Sequence, residues 1–168
     1  MRLVQDGDVV GAALWAGECV TLDRGNGLAT LCLNSPANRN AIGGRSGDDL
    51  VAALERLCSL RDVRVALIRA KGPMFCPGAD LEWLRPLEEG AEQRIDELLL
   101  RLNPLLAQLR ELPMIIVAAV HGAVAGGGLG LMNAADIVIA SSETKFNLAY
   151  SRIGATPDLG ATFYLPRL

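Results

Sequence analysis

Apolar residues along the chain follow two different spacings, and each spacing predicts one kind of element. Five short runs are dense in aliphatic or β-branched residues and predict strands, at residues 20–23, 28–33, 63–70, 114–120 and 136–140. The first two runs are separated by Arg24-Gly25-Asn26-Gly27, where asparagine and glycine tolerate the positive φ of a tight turn. We therefore expect the fold to open with a β-hairpin and to continue with buried strands.

Apolar positions three and four residues apart mark the predicted helices. Leucine and isoleucine recur in this way between residues 92 and 112, which predicts a long helix, kinked at Pro104, whose apolar face packs in the core. A second helix is predicted from about residue 47 to residue 60, with Ser46 as N-cap and Asp49 in an acidic first turn, and a short one over 129–134. Strands joined by crossing helices predict an α/β fold with parallel pairing and right-handed crossovers.

The composition predicts an aliphatic core in a single domain. Of the 168 residues, 51% are apolar and only 4% are aromatic, while 18 are glycine. Lys and Arg number 16 against 19 Asp and Glu, a net charge of −3, which excludes a strongly basic nucleic-acid binder, so no nucleic-acid partner is expected. Residues 1–18 are weakly patterned and are interpreted as an N-terminal extension before a core at 19–168.

Neither a metal site nor a membrane segment is predicted. The four cysteines contain no CxxC pair and the chain has one histidine, so we expect small buried thiols in a reducing cytoplasm and no metal. The first residues lack the zones of a signal peptide, so a cytoplasmic location is expected rather than export. Residues 114–135 carry no charge, but His121, Asn133 and five glycines favour a strand, a glycine loop and a buried helix over a membrane span.

Two glycine-containing loops follow buried strands and form the candidate site. They are MFCPGADL at residues 74–81 and HGAVAGGGLG at residues 121–130. N–H groups that open a helix have no intrahelical acceptor, so two of them can bind one oxygen that carries negative charge. Tight turns and close helix packing are the alternative use of these glycines. The spacing does not match a phosphate-binding or dinucleotide-binding loop, so nucleotide triphosphates are not expected as ligands.

Four segments, in order, resemble the enoyl-CoA hydratase/isomerase (crotonase) family. They are LNSPANRNA at 33–41, FCPGADL at 75–81, HGAVAGGGLGL at 121–131, and Asp136-Ile137 with the tail from 145 to 168. The likeness runs from about Val20 to the last residue. It implies a crotonase-like spiral of ββα units, an acyl-CoA substrate and a homotrimer or hexamer. Family members usually continue into a C-terminal helical region, so the core is expected to be truncated.

The resemblance also implies roles for individual residues. The N–H groups of Ala79 and Gly127 would hold the thioester carbonyl in an oxyanion hole, and Arg39 and Ala41 would lie along the CoA. Further substrate contacts are expected from Gly78, Asp80, Leu81, Gly126 and Tyr150. No cofactor is expected beyond the coenzyme A of the substrate. Removing a proton next to a thioester puts charge on its oxygen, and preorganised amides stabilise that charge.

Departures from the family pattern indicate which of the family's reactions to expect. Hydratases of this family carry two glutamates that activate water, and the corresponding positions here are Gly130 and Tyr150. Ordinary hydration is therefore not expected, because the water would lack its base. Asp158, after the turn that contains Pro157, resembles the acid/base of family members that shift double bonds, including isomerases of phenylacetyl-CoA metabolites. The alternative is a turn aspartate that only accepts backbone hydrogen bonds.

Hydratase activity stays an alternative, and two other functions stay open. The tail from 153 to 165 also resembles aryl-CoA dehalogenases, in which an aspartate attacks an aromatic ring carbon, although that chemistry calls for a histidine near the first loop and the only histidine is His121. A non-catalytic acyl-CoA binding module is the other alternative.

The remaining polar and aromatic candidates have structural interpretations. Asp80 is expected to cap a helix, His121 to be a hydrogen-bonded structural residue, and Asp136 to brace a neighbouring loop. Trp83 and Tyr150 are expected either to line the acyl pocket or to pack in the core. Nothing near Cys76 in the sequence indicates an activated thiolate.

Overall fold

The computed structural model describes residues 11–85 and 90–167. The described strands are β1 Ala12–Ala16, β2 Val20–Gly25, β3 Leu28–Leu33, β4 Val65–Ala70, β5 Ile115–Val120, β6 Ala123–Ala125, β7 Ile137–Ala140 and β8 Lys145–Asn147. Six of them form a mixed sheet in the order β1-β2-β3-β4-β5-β7, and β6 and β8 form a separate parallel pair. The first three strands pair antiparallel, and β3, β4, β5 and β7 pair parallel. The predicted α/β class with parallel pairing is confirmed.

Five α-helices and three short 3-10 helices complete the described chain. The α-helices are α1 Gly44–Ser59, α2 Leu81–Leu84, α3 Ala91–Leu109, α4 Gly127–Asn133 and α5 Ala161–Tyr164. The 3-10 helices are Pro36–Asn38, Tyr150–Arg152 and Leu165–Arg167. Within the described ranges, no helix combines the length and the apolar character that crossing a bilayer requires.

The N-terminal hairpin forms where the sequence predicts it. Asn26 and Gly27 have φ of 54° and 75°, and Gly25 pairs with Leu28, so two residues make the turn. Two positive φ angles in a two-residue loop suit the twist of antiparallel strands. Strand β1 pairs with β2 and extends the hairpin to three strands. It belongs to residues 1–18, which the sequence analysis interprets as an extension and of which residues 1–10 lie outside the described residues. The domain boundary after residue 18 stays a prediction.

Helix α1 begins earlier than predicted because Ser46 is not its N-cap. Gly43 is the N-cap, and the Ser46 hydroxyl accepts the Gly43 N–H at 3.1 Å and reaches the Ala41 carbonyl oxygen at 2.6 Å. Asp49 therefore lies in the second turn, where its carboxylate accepts the Cys19 N–H at 2.8 Å. The buried Asp49 ties the turn between β1 and β2 to α1, which is an anchoring role rather than the predicted helix-end role.

The core lies where α1 and α3 pack together with the strands. Leucines 50, 54 and 57 of α1 and leucines 102, 106 and 109 of α3 are at most 4% exposed. Burying each such side chain contributes about 1.5–3 kcal/mol. Pro104 lies inside α3, as the periodicity predicts. At the other edge of the sheet β7 presents exposed apolar side chains, among them Ile137 and Ile139.

Candidate active site

The two glycine-containing loops lie side by side. Residue 76 pairs with β6: the Ala125 N–H donates to the Cys76 carbonyl oxygen at 3.0 Å, and the Cys76 N–H donates to Ala123 at 3.2 Å. Gly78 has φ of 100°, and a Cβ there would lie 2.9 Å from the Ala125 oxygen and 3.1 Å from the Gly127 nitrogen. Only glycine allows this approach without displacing the backbone.

The Ala79 and Gly127 N–H groups are available to a ligand. Ile42 donates to the Gly78 oxygen at 2.8 Å and accepts the Asp80 N–H at 2.9 Å, so this pairing uses the groups on either side of the Ala79 N–H. Gly127 is the first residue of α4, so its N–H has no intrahelical acceptor. In the described part of the chain neither N–H has an acceptor, and both residues line one cavity. The pair has the composition of an oxyanion hole.

A cavity of about 700 Å³ collects the residues singled out from the sequence. Nine of the ten predicted site residues line it. The tenth, Gly78, lies close to Gly127, since a Cβ built on Gly78 would be 3.1 Å from the Gly127 nitrogen. The nine are Arg39, Ala41, Ala79, Asp80, Leu81, Gly126, Gly127, Tyr150 and Asp158. They come from five separate parts of the chain, so the tertiary fold is what brings them together.

Apolar side chains of α3 and α2 form one wall of the cavity. Ile95, Leu98 and Leu99 line it together with Trp83, which rests against Gly43 and Gly44. The sequence assigned the apolar face of α3 to the core, and Leu98 and Leu99 do pack against the buried core residues. The same two side chains also line the cavity, a second role that the regular spacing along the helix does not reveal. The cavity therefore has one apolar wall.

The rim near Arg39 is held by a buried asparagine. Asn40, with φ of 60°, accepts the Ser35 N–H at 2.8 Å and donates to the carbonyl oxygens of Lys71 and Met74 at 2.8 and 3.0 Å. Asparagine tolerates this backbone region better than most residues. The exposed Arg39 is thereby set at the cavity, and Arg152 lines it as a second guanidinium that the sequence analysis did not single out.

Asp80 caps α2, in agreement with the structural interpretation. One carboxylate oxygen accepts the N–H groups of Glu82 and Trp83 at 2.9 and 3.2 Å, and the other accepts the Asn38 side-chain amide at 2.9 Å. The carboxylate therefore joins the entrance of α2 to the 3-10 helix that precedes Arg39.

Asp158 lies half-buried beside the second loop. The Tyr150 hydroxyl donates to Asp158 Oδ1 at 2.6 Å, and that oxygen would be 3.9 Å from a Cβ built on Gly127. Burial raises the pKa of the Asp158 carboxyl, while the Tyr150 hydrogen bond opposes that rise. Leu159, which follows it, is 5% exposed and has φ of 47°. A carboxylate thus lies close to the candidate oxyanion hole, held by a residue in an unusual conformation.

The other polar candidates do not line this cavity. His121 Nε2 lies 2.9 Å from the Gly72 carbonyl oxygen, and the Asp136 carboxylate accepts the Ile116 N–H at 2.8 Å. Cys76 is buried, and burial raises its pKa to about 12. Among the residues with described positions, no group of three or more His, Cys, Asp or Glu side chains could hold a metal ion.

Known proteins of similar sequence and fold point to one family. The model of the family Enoyl-CoA hydratase/isomerase matches residues 23–168. The chain is 38% identical to the "Probable enoyl-CoA hydratase" of Rhodobacter capsulatus and 34% identical to the 1,2-epoxyphenylacetyl-CoA isomerase of Escherichia coli, over 84% of this chain in both cases. A crystal structure of the enoyl-CoA hydratase from Bacillus halodurans superposes with a TM-score of 0.80 at 28% identity, covering 89% of this chain and 61% of that one.

These matches define the family but not the whole length of its members. The chain spans 53% and 55% of the two relatives, about half of each. Within that half, the family model matches residues 23–168 and the α/β core superposes on the solved structure. The chain belongs to the enoyl-CoA hydratase/isomerase family.

Proposed function

We propose that this protein shifts a carbon–carbon double bond in an acyl-CoA thioester. In this proposal the Ala79 and Gly127 N–H groups hold the thioester oxygen, and Asp158 carries the proton. The observation that carries the proposal is the half-buried Asp158 carboxylate beside Gly127, in the cavity that Tyr150 also lines. The family resemblance adds that Gly130 and Tyr150 occupy the positions of the hydratase glutamates. The likeness to the Escherichia coli isomerase supports it, and the relative from Rhodobacter capsulatus is named as a hydratase.

The proposed reaction moves one proton through one carboxylate. Ionised Asp158 accepts a proton from a substrate carbon next to the double bond, and the electron pair of that C–H bond delocalises over a dienolate onto the thioester oxygen. The same carboxyl then returns the proton to another carbon of the conjugated system, which relocates the double bond. Two preorganised donors stabilise the oxyanion, and loss of one such donor typically costs about 100- to 1,000-fold in rate.

Burial supports the choice of base. It raises the pKa of Asp158 above that of a solvated aspartate, so its affinity for a proton moves towards what general-base catalysis near neutral pH requires. The wall of Ile95, Leu98 and Leu99 suits an acyl chain, and Arg39 and Arg152 supply positive charge for the CoA phosphates.

Assembly and location belong to the same proposal. The family resemblance favours a homotrimer or hexamer and a cytoplasmic enzyme that needs no cofactor beyond the coenzyme A of its substrate. Equilibrium sedimentation of the full-length protein tests the assembly.

The test is a panel of enoyl-CoA positional isomers followed by the absorbance of the conjugated thioester. We expect the wild-type protein to convert β,γ-enoyl into α,β-enoyl esters, and Asp158→Asn to abolish conversion while CoA esters still bind in a thermal-shift assay. Asp62→Asn is the matched control, because Asp62 is an exposed partner of Arg24 far from the cavity, and it should keep full activity. Full activity of the Asp158→Asn protein would refute the role of Asp158.

The same carboxylate allows the two other functions to be separated. Halide release from a 4-halobenzoyl-CoA that depends on Asp158 would indicate nucleophilic attack instead, although His121 bonds to Gly72 and does not line the cavity. Tight binding of CoA esters without turnover of any isomer or halide would indicate a binding module.

A further inference from the structure

Tyr150 donates a short hydrogen bond within the candidate site. Its hydroxyl oxygen lies 2.6 Å from Asp158 Oδ1, a distance typical of an O–H group that donates to an ionised carboxylate. The tyrosine is 6% exposed, so water does not compete freely for this bond. Tyr150 was expected only to line the pocket or pack in the core.

Hydrogen bonds hold the backbone on both sides of Tyr150. The Tyr150 carbonyl oxygen accepts the N–H groups of Ile153 and Ala155, both at 3.1 Å, at the 3-10 helix that Tyr150 opens. Ala149, immediately before it, has φ of 61°, and its N–H donates to the Asn147 side chain at 2.9 Å. The backbone that carries the Tyr150 ring is therefore tied into this turn.

No charged group competes with this hydroxyl in the described part of the chain. The titratable side chains that line the same cavity are Arg39, Asp80, Glu82 and Arg152, and Tyr164 lines a second cavity of about 360 Å³ that Asp158 also borders. Among described residues, none of these forms a hydrogen bond or ion pair with Asp158. The pKa of the carboxylate is thus set by burial, by the phenol of Tyr150 and by a backbone hydrogen bond.

We propose that Tyr150 is a positioning residue that keeps Asp158 ionised and aimed into the cavity, and so sets the lower pH limit of turnover. Its catalytic consequence rests on the proposed function, whereas its effect on the Asp158 carboxyl does not. Tyr150 stands where hydratases of the family have their second glutamate, so here that position supports the base instead of supplying one.

The direction in which Tyr150 shifts the pKa of Asp158 follows from the surroundings of the two side chains. Burial raises the pKa of Asp158, and the Tyr150 hydrogen bond lowers it because the bond favours the charged form. Burial and the neighbouring carboxylate raise the pKa of Tyr150, so the phenol stays protonated as a donor at every pH at which the enzyme would work. Removing the hydroxyl takes away the larger of the two influences that oppose burial, the other being a backbone hydrogen bond, and Asp158 should then titrate at higher pH.

The test compares Tyr150→Phe with Tyr164→Phe, which loses the hydroxyl of the only other tyrosine. Side-chain carboxyls of aspartate are labelled with carbon-13, and the Asp158 resonance is identified by its absence in Asp158→Asn. We expect the titration midpoint of Asp158 to rise by about one pH unit in Tyr150→Phe. The acidic limb of kcat/KM should move by the same amount, and Tyr164→Phe should change neither.

A second variant should shift the titration midpoint of Asp158 in the opposite direction. In the Tyr164→Phe background, 3-fluorotyrosine incorporation labels Tyr150 alone with a more acidic phenol, which donates a stronger hydrogen bond. The Asp158 midpoint should then fall. An Asp158 midpoint that is unchanged or lower in Tyr150→Phe, or one that rises with fluorotyrosine, overturns the inference.

Failure of the inference is distinguishable from failure of the proposed function. Full activity of Asp158→Asn removes the catalytic role of Asp158, yet the carboxyl titration still reports what Tyr150 does. An inactive Asp158→Asn together with an unmoved carboxyl titration in Tyr150→Phe overturns the role of Tyr150 alone.

Discussion

A Cβ atom on Gly130 would lie 2.3 Å from the Cβ atom of Leu159 and 2.7 Å from its carbonyl oxygen. No side chain fits at position 130 while the segment that follows Asp158 is in place. The family resemblance implies a glutamate at this position in the hydratases. A glutamate at position 130 would compete for space with the segment that follows Asp158 in this structure.

Gly130→Ala is expected to displace Leu159 and with it the Asp158 carboxylate. Overpacking of this kind costs about 1–3 kcal/mol of unfolding free energy. Misplacement of a reacting group by roughly 1 Å costs about 100-fold in rate, so kcat should fall by about that factor. Urea unfolding and steady-state kinetics measure the two effects.

Gly27→Ala provides the control for this loss of stability. Gly27 has φ of 75° in the N-terminal hairpin, and a Cβ there would be 3.5 Å from Arg64 Nε. The strained backbone should cost about 1 kcal/mol or more, with kcat per folded molecule unchanged. An unaltered kcat in Gly130→Ala would contradict the shared-space argument.

Gly78→Ala should separate the two candidate oxyanion donors. A Cβ at this position approaches the Ala125 oxygen to 2.9 Å at φ of 100°, so one loop must move away from the other. We expect kcat to fall by about 100-fold or more because the donors no longer match one oxygen. Gly126→Ala is the comparison, because Gly126 also has a positive φ, of 48°, but a Cβ there would come no closer than 3.6 Å to another atom, the Gly78 Cα. Equal losses in the two variants would speak against the close approach at Gly78.

Asp158→Asn is expected to stabilise the fold while it abolishes activity. Burial raises the native pKa of Asp158 above its unfolded value, so the native state binds the proton more tightly. Stability from this group is fully present below the unfolded pKa and is lost as the pH rises through the native pKa. The stability gain of the asparagine variant over the wild type should therefore grow from acidic to neutral pH. Urea titrations of both proteins across this range measure it, and a gain that shrinks with rising pH would be inconsistent with the burial of Asp158.

Cys76 should be inert although it belongs to the first glycine-containing loop. Because burial raises its pKa to about 12, only about one thiol in ten thousand is ionised at about pH 8. Iodoacetamide should leave native Cys76 unmodified and activity intact, and should label Cys76 after denaturation in urea. The partly exposed Cys19 serves as the internal control for reagent access. Rapid native labelling of Cys76 with loss of activity would contradict its burial.

The sequence determined the main strands and helices and the family, although it did not predict β1, β6, β8 or α5. Apolar spacing located α3 and the buried strands, and Asn26-Gly27 located the hairpin turn, because these signals depend on neighbours along the chain. The ordered motifs around Ala79 and Gly127 sufficed to identify the family and the candidate oxyanion residues. Local signals failed at the start of α1, where Ser46 was predicted as the N-cap and Gly43 is the N-cap. A serine at the third position of a helix can accept a hydrogen bond from the N-cap residue, as Ser46 does from Gly43, so the serine alone does not locate the first residue of the helix.

Tertiary structure alone decided which side chains face the cavity and what surrounds Asp158. Leu98 and Leu106 obey the same spacing, yet one lines the cavity and the other is buried in the core. The contact of Leu159 with Gly130 joins segments 29 residues apart. The hydrogen bond from Tyr150 to Asp158 depends on how one turn is folded. Such contacts arise from the packing of segments against one another in three dimensions, and no local periodicity encodes them.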